Sequence, residues 1–168
     1  MRINKSRLIC NQRGNAAGDD LNRIFDQNVD PVGSLRRFLD GRSFSLAVCL
    51  HEDFDGRGIY IYDLNRSGEQ HSARALITAC GSPHMPIDPR ERIDGRKASG
   101  GVIVRRRIDL RRIPGLPEAV FLYHAGHAER SLTFETPSEY DLFERVEVHG
   151  RFLDLVLDRG NRDAGRIR

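Results

Sequence analysis

Four side chains in this sequence could act together on a carboxylate or a carbonyl: Asn22, Arg23, His51 and Glu135. Asn22-Arg23 lies in "GDDLNRIF", with an acidic pair just before it and an apolar residue on either side. An arginine fork fits a carboxylate with two parallel hydrogen bonds, and a neighbouring amide can add a third. His51 ends the apolar run "SLAVCL" and opens "HEDFDG", while Glu135 ends "SLTFE". An imidazole and a carboxylate at neighbouring strand ends are the raw material of metal-assisted hydrolysis, in which the first holds zinc and the second takes a proton from bound water. Each residue also has a plainer role open to it. A histidine at a strand end can be a satisfied polar residue, an Asn-Arg pair a surface feature or cap, and a glutamate before Thr136-Pro137 a turn or helix entry. Spacing alone leaves both readings standing.

Such residues need a scaffold, and 168 residues suffice for one domain with a real core, here 1–168. Apolar content of 39% and charged content of 30% are those of a soluble globular chain. The net charge is only +3, and the arginine-rich runs "RRRIDLRR" and "PRERIDGRK" are interleaved with acids and lack flanking aromatics, so a solvated surface is expected and no nucleic-acid partner. Three cysteines without Cys-x-x-Cys argue against a disulfide framework or zinc ribbon, and Cys49 reads as a core thiol. The apolar runs are far shorter than a membrane span and no signal-peptide pattern opens the chain, so the expected location is cytoplasmic, without a membrane partner.

Periodicity places the elements. Residues 1–20 read as an extended or loop entry. "DPVGSLRRFLDG" reads as a short helix, with Leu35, Phe38 and Leu39 at helical spacing and Gly41 as its stop. "SFSLAVCL" reads as a strand buried on both faces and "GIYIYDL" as an aromatic, β-branched strand. "ARALITAC" leans to helix, "GVIVRRRIDL" to a more exposed strand, and "AVFLYHAG" and "RSLTFET" to two strands around a turn at Gly126. The closing segment reads as a helix entered at Ser138 and stopped at Gly160, with Leu142, Val146, Leu153 and Val156 on one stripe and Phe143, Phe152 and Leu155 beside it. The expected fold class is α/β: a mixed, mostly parallel sheet flanked by helices, with ligands at the carboxyl ends of its strands.

The three site-bearing stretches, in this order, resemble the zinc carboxypeptidase family. "GDDLNRIF" is similar to its Gly-x-Asp-Leu-Asn-Arg-x-Phe segment. "LAVCLHEDFDGRGIYIYDL" is similar to the strand that brings its third zinc ligand, and "SLTFETPSEYDLFERVEVH" to the late strand and closing helix. The resemblance spans about residues 11–158. It implies that Asn22 and Arg23 bind a substrate's terminal carboxylate, that His51 is a zinc ligand, and that Glu135 is the general base that deprotonates zinc-bound water. The implied substrate is a peptide, or an acyl-amino acid, with a free carboxylate.

The family's first two ligands come from a His-x-x-Glu motif upstream of its Asn-Arg segment. Here only twenty-one residues precede Asn22, and none of the six histidines has glutamate three positions later. The resemblance is therefore to the C-terminal half of the domain. One histidine does not hold a catalytic zinc, so a weakly active or inactive isolated chain is expected, or a truncated gene product. A non-catalytic carboxylate-binding module is the alternative. His124 and His127 are the one close histidine pair that could rebuild a site, and "HEDFDG" has a trace of a calcium loop. A missing half would leave an open sheet edge, which invites self-association.

Overall fold

The computed structural model describes residues 14–15, 18–113 and 115–164. The first part of the expected loop entry, and the start of the family-like span, lie outside the described residues. A four-stranded sheet has the order β1 (Phe44–Asp53), β6 (Ala128–Pro137), β2 (Tyr60–Asn65), β5 (Val102–Arg105). β1 runs parallel to β6, β6 antiparallel to β2, and β2 parallel to β5, which makes the sheet mixed and mostly parallel as expected. Two short strands, β3 (Arg92–Ile93) and β4 (Arg96–Lys97), form a separate hairpin.

Helices cover both faces. On one, α2 (His71–Cys80) and α4 (Leu142–Ala164) pack Leu76, Ile77, Val148 and Phe152 against Ile61, Leu132 and Phe134. Phe134 and Phe152 stack with ring centroids 4.3 Å apart. On the other, α3 (Glu118–His124) lays Ala119, Val120 and Tyr123 over Cys49 and Leu64. Phe121 of α3 joins Val32 and Leu39 of α1 (Val32–Leu39), and Phe25, in a satellite cluster. Asp63 is fully buried in β2 and is held by both arms of the Arg130 guanidinium on β6, at 2.9 and 2.6 Å.

Five local expectations change. "AVFLYH" is helix α3, not a strand: Pro117 starts it, and a short apolar run reads equally well as buried strand or buried helix. The strand predicted from "GVIVRRRIDL" ends at Arg105. β1 is packed on both faces only in its middle, with Leu46 and Val48 against the main core and Cys49 under α3. It lies at the sheet edge, with Phe44 and Leu50 exposed. α1 buries Val32 and Leu39 but leaves Leu35 and Phe38 exposed, Phe38 beneath the Arg42 guanidinium at 4.7 Å. α4 starts at Leu142, is capped by Asp141, whose carboxylate accepts the Phe143 and Glu144 N–H groups, and runs through Gly160 to Ala164. Its core face is Val148 and Phe152, with Leu155 and Val156 packed beside them, while Leu142 and Val146 of the expected stripe, and Phe143 beside it, are exposed.

Candidate active site

β1 and β6 are parallel, so their carboxyl ends lie together, and the register sets His51 directly opposite Glu135. Residues in register on neighbouring strands project to the same face. His51 Nδ1 accordingly lies 3.5 Å from Glu135 Oε1. The antiparallel partner of Glu135 on β2 is Tyr60, which brings the start of that strand to the same end of the sheet. Tyr60 donates its hydroxyl to Asp53 at 3.0 Å, and Arg90 reaches Asp53 at 3.5 Å while holding buried Asp88 at 2.6 Å. Burial pushes the Tyr60 hydroxyl well above its ordinary pKa, and the Glu135 and Asp53 carboxylates add to this.

A residue that the sequence did not single out completes the cluster. Glu118 Oε1 lies 3.3 Å from His51 Nε2, so the imidazole is held between two carboxylates. Burial works against charge on His51. The hydrogen bonds to Glu118 and Glu135 outweigh it and raise its pKa from 6.5 to about 9. The same contact holds the Glu118 carboxyl below its ordinary range. The Cys49 thiol, two residues before His51, is pushed well up by burial and then by Glu118, which leaves it protonated. "GLPEA" carried one signal for Glu118: an acid in the first turn after a proline, at the amino end of a helix.

Asn22 and Arg23 reach this region through α3. The two residues lie in a 3-10 turn, Leu21–Arg23, whose carbonyl at Arg23 accepts the Leu116 N–H at 2.8 Å. Gly115, at φ +72°, permits this approach, because a Cβ there would lie 2.0 Å from the Arg23 carbonyl oxygen. Asn22 Oδ1 then accepts the Glu118 N–H at 3.0 Å. The Arg23 guanidinium donates to the Asn22 carbonyl at 3.1 Å. Asn22 thus holds the amino end of the helix that carries Glu118, and Arg23 folds back on its own turn.

His124 and His127 lie away from this cluster. They precede Ala128 at the amino end of β6, whereas Glu135 lies near its carboxyl end, and His127 is tied to the Arg42 carbonyl at 3.1 Å. Asp53, in the stretch with the calcium-loop trace, is engaged by Tyr60 and Arg90.

The zinc implied by the resemblance can be tested against these donors. Among the described residues, no group of three His, Cys, Asp or Glu side chains is placed to hold a metal ion. Both nitrogens of His51 face carboxylates, and Cys49 is a protonated thiol. The described residues do not fit a catalytic zinc centre, which takes three protein ligands.

The fold has solved counterparts. Three crystal structures, each described as a "putative metallopeptidase", superpose on this chain. The one from Shewanella denitrificans OS217 has a TM-score of 0.64 and 22% identity, over 84% of this chain and 52% of its own. That from Shewanella amazonensis SB2B has 0.61 and 18%, over 86% and 47%. That from Shewanella baltica OS155 has 0.65 and 20%, over 85% and 56%. The chain shares the fold of these structures and spans about half their length. No family model matches it, and no curated protein does. Among the described residues, no helix is long and apolar enough to cross a membrane.

Proposed function

We propose that the chain is a metallopeptidase-like hydrolase domain for a peptide or amide with a free carboxylate, and that by itself it is weakly active or inactive. The observation that carries this is the His51–Glu135 pair, in register on one face at the carboxyl ends of adjacent parallel strands. A fold hosts many chemistries, so the reading rests on that pair rather than on likeness alone. Glu135 is placed to accept a proton beside His51. The imidazole, held by Glu118 and Glu135, is fixed in orientation and positively charged at neutral pH. Turnover is expected to be poor because the sequence has no His-x-x-Glu and the described residues provide no second and third metal ligand. Carboxypeptidase specificity and carboxylate binding by Arg23 belong to this proposal, and zinc at His51 requires that the imidazole give up its proton and that at least two ligands come from outside the described residues.

Zinc content and hydrolysis of C-terminal peptide and acyl-amino-acid substrates by the purified chain test it. Far less than one zinc per chain is expected, with slow turnover that Glu135→Gln abolishes, or none. Stoichiometric zinc with rapid turnover would overturn the expectation of weak activity. A second reading, a non-catalytic carboxylate-binding module, is favoured by the engagement of both His51 nitrogens. Saturable binding of acyl-amino acids without any hydrolysis at added zinc would select it.

A further inference from the structure

Glu135 stands between two proton donors. His51 on β1 and Tyr60 on β2 are its register partners on either side, so the three side chains form a row across one face of the sheet. Directly opposed residues hold their Cβ atoms about 5 Å apart, which sets the Tyr60 ring beside the Glu135 carboxylate. Tyr60 is 2% exposed, so its hydroxyl has to find an acceptor within the protein. Two carboxylates compete for it. The hydroxyl goes to Asp53 Oδ2, at 3.0 Å, and Glu135 Oε1 is left to His51.

What decides between the two acceptors lies outside the row. Asp53 Oδ1 accepts the Asp55 N–H at 3.1 Å, and the Asp53 carbonyl accepts the Ser138 N–H at 3.0 Å. Arg90 Nη2 lies 3.5 Å from Oδ2, the oxygen that Tyr60 uses. Arg90 is anchored in turn. Its Nε and Nη2 donate to Asp88 at 2.9 and 2.6 Å, and the fully buried Asp88 carboxylate also accepts the Arg57 and Arg90 backbone N–H groups at 3.0 and 2.9 Å. The loop that carries this pair docks on the start of β2. Ile59 donates to the Pro86 carbonyl at 2.8 Å, and Asp88 donates its N–H to the Ile59 carbonyl at 2.9 Å. Gly58 permits the approach, since a Cβ there would lie 2.3 Å from the Pro86 carbonyl oxygen. All of these bonds are internal to the chain.

We propose that Arg90 is a positioning residue of the site: by fixing Asp53 it holds the Tyr60 hydroxyl away from Glu135 and keeps that carboxylate for His51 and for a proton from the reaction. The inference rests on the reading of Glu135 as proton acceptor. Without Arg90, Asp53 loses the cation that holds it toward Tyr60, and its side chain, 24% exposed, can turn to water. The buried hydroxyl then takes its other neighbour, Glu135. A carboxylate that already accepts a hydroxyl is a poorer proton acceptor, because the hydrogen bond favours its charged form. The new bond also draws Glu135 from the His51 Nδ1 contact. Arg90 touches neither Glu135 nor His51 and acts on them through Asp53 and Tyr60.

NMR of the whole, chelator-treated chain at neutral pH is the test, reading the Tyr60 ring carbon that bears the hydroxyl and the His51 ring nitrogens, assigned through Tyr60→Phe and His51→Gln. The Asp88→Asn, Arg90→Gln double variant removes Arg90 without leaving a buried carboxylate unpaired. It should shift both the Tyr60 carbon and the His51 Nδ1 resonance. Adding Tyr60→Phe to it should return Nδ1 to its place in Tyr60→Phe alone, because no hydroxyl is left to compete. A role for Arg90 in stability alone would leave the Nδ1 shift in place. Asp53→Ala keeps the Asp88–Arg90 pair and should shift both resonances in the same direction, so it tests the same step if the loop does not fold without Arg90. An Nδ1 resonance indifferent to the loss of Asp53 or Arg90, or a shift that Tyr60→Phe fails to cancel, would overturn the proposal. The spectra need no turnover, so a failure of the proposed function shows in the hydrolysis assay and a failure of this inference in the resonances.

Discussion

His51 Nδ1 lies 3.5 Å from Glu135 Oε1, on the residue directly opposite it in the neighbouring parallel strand. Register alone produces this contact. A slip of one residue would send the imidazole and the carboxylate to opposite faces of the sheet. Glu118 then closes on the second ring nitrogen, so the charge of the imidazole depends on three separate elements.

The first prediction concerns pH. In the folded chain the His51 pKa is about 9, against 6.5 for the free side chain. The charged imidazole therefore stabilises the fold fully below about pH 6.5, and that contribution is lost as pH rises through 9. It is worth about 3–4 kcal/mol at most. Urea unfolding of chelator-treated protein should show stability falling between pH 6.5 and 9, and His51→Gln should flatten that part of the curve. Parallel curves for the two proteins would refute the clamp.

Removing one jaw should lower the His51 pKa. Glu118→Gln keeps the shape of the side chain but removes its charge, so the pKa should fall from about 9 by about one unit or more. Asn22→Ala should produce a smaller fall, because Asn22 acts on Glu118 only through its backbone N–H. Titration of the imidazole carbon resonance by NMR measures both.

The Asp63–Arg130 pair offers a stability test remote from the site. Arg130→Ala leaves a fully buried carboxylate without its two guanidinium bonds and should cost about 3–5 kcal/mol. The double variant Asp63→Val, Arg130→Met removes both charges and should be clearly more stable than Arg130→Ala. Denaturant midpoints decide the order, and an Arg130→Ala protein as stable as the parent would show that the pair is not formed.

Two phenylalanines of α4 should behave in opposite ways. Phe152 is fully buried and stacked on Phe134, so Phe152→Ala should cost about 3–5 kcal/mol. Phe143 is 82% exposed, and Phe143→Ser should change stability by no more than about 0.5 kcal/mol. Thermal unfolding of the two variants side by side would show whether the helix is rotated as described.

The sequence alone determined what is local or strongly periodic. "ARALITAC" gave helix α2, the β-branched and aromatic run gave β2, and two apolar runs ending in His51 and Glu135 marked the strand ends where polar groups gather. Long-range pairing decided the rest. "AVFLY" fits a strand or a buried helix equally, and what selects helix is the surface it must cover, Cys49 and Leu64 from two other strands. β1 reads as buried on both faces because its composition is apolar, but burial depends on neighbours, and among the described residues β1 has a strand on one side only. The stripe on α4 is real as a pattern, yet a helix with two apolar faces cannot tell from its own residues which one meets the sheet. Glu118 remained hidden for the same reason. Its partners, His51 and Asn22, are distant in sequence, and only the stitching of the Leu21–Arg23 turn to Leu116 aims its helix at the imidazole.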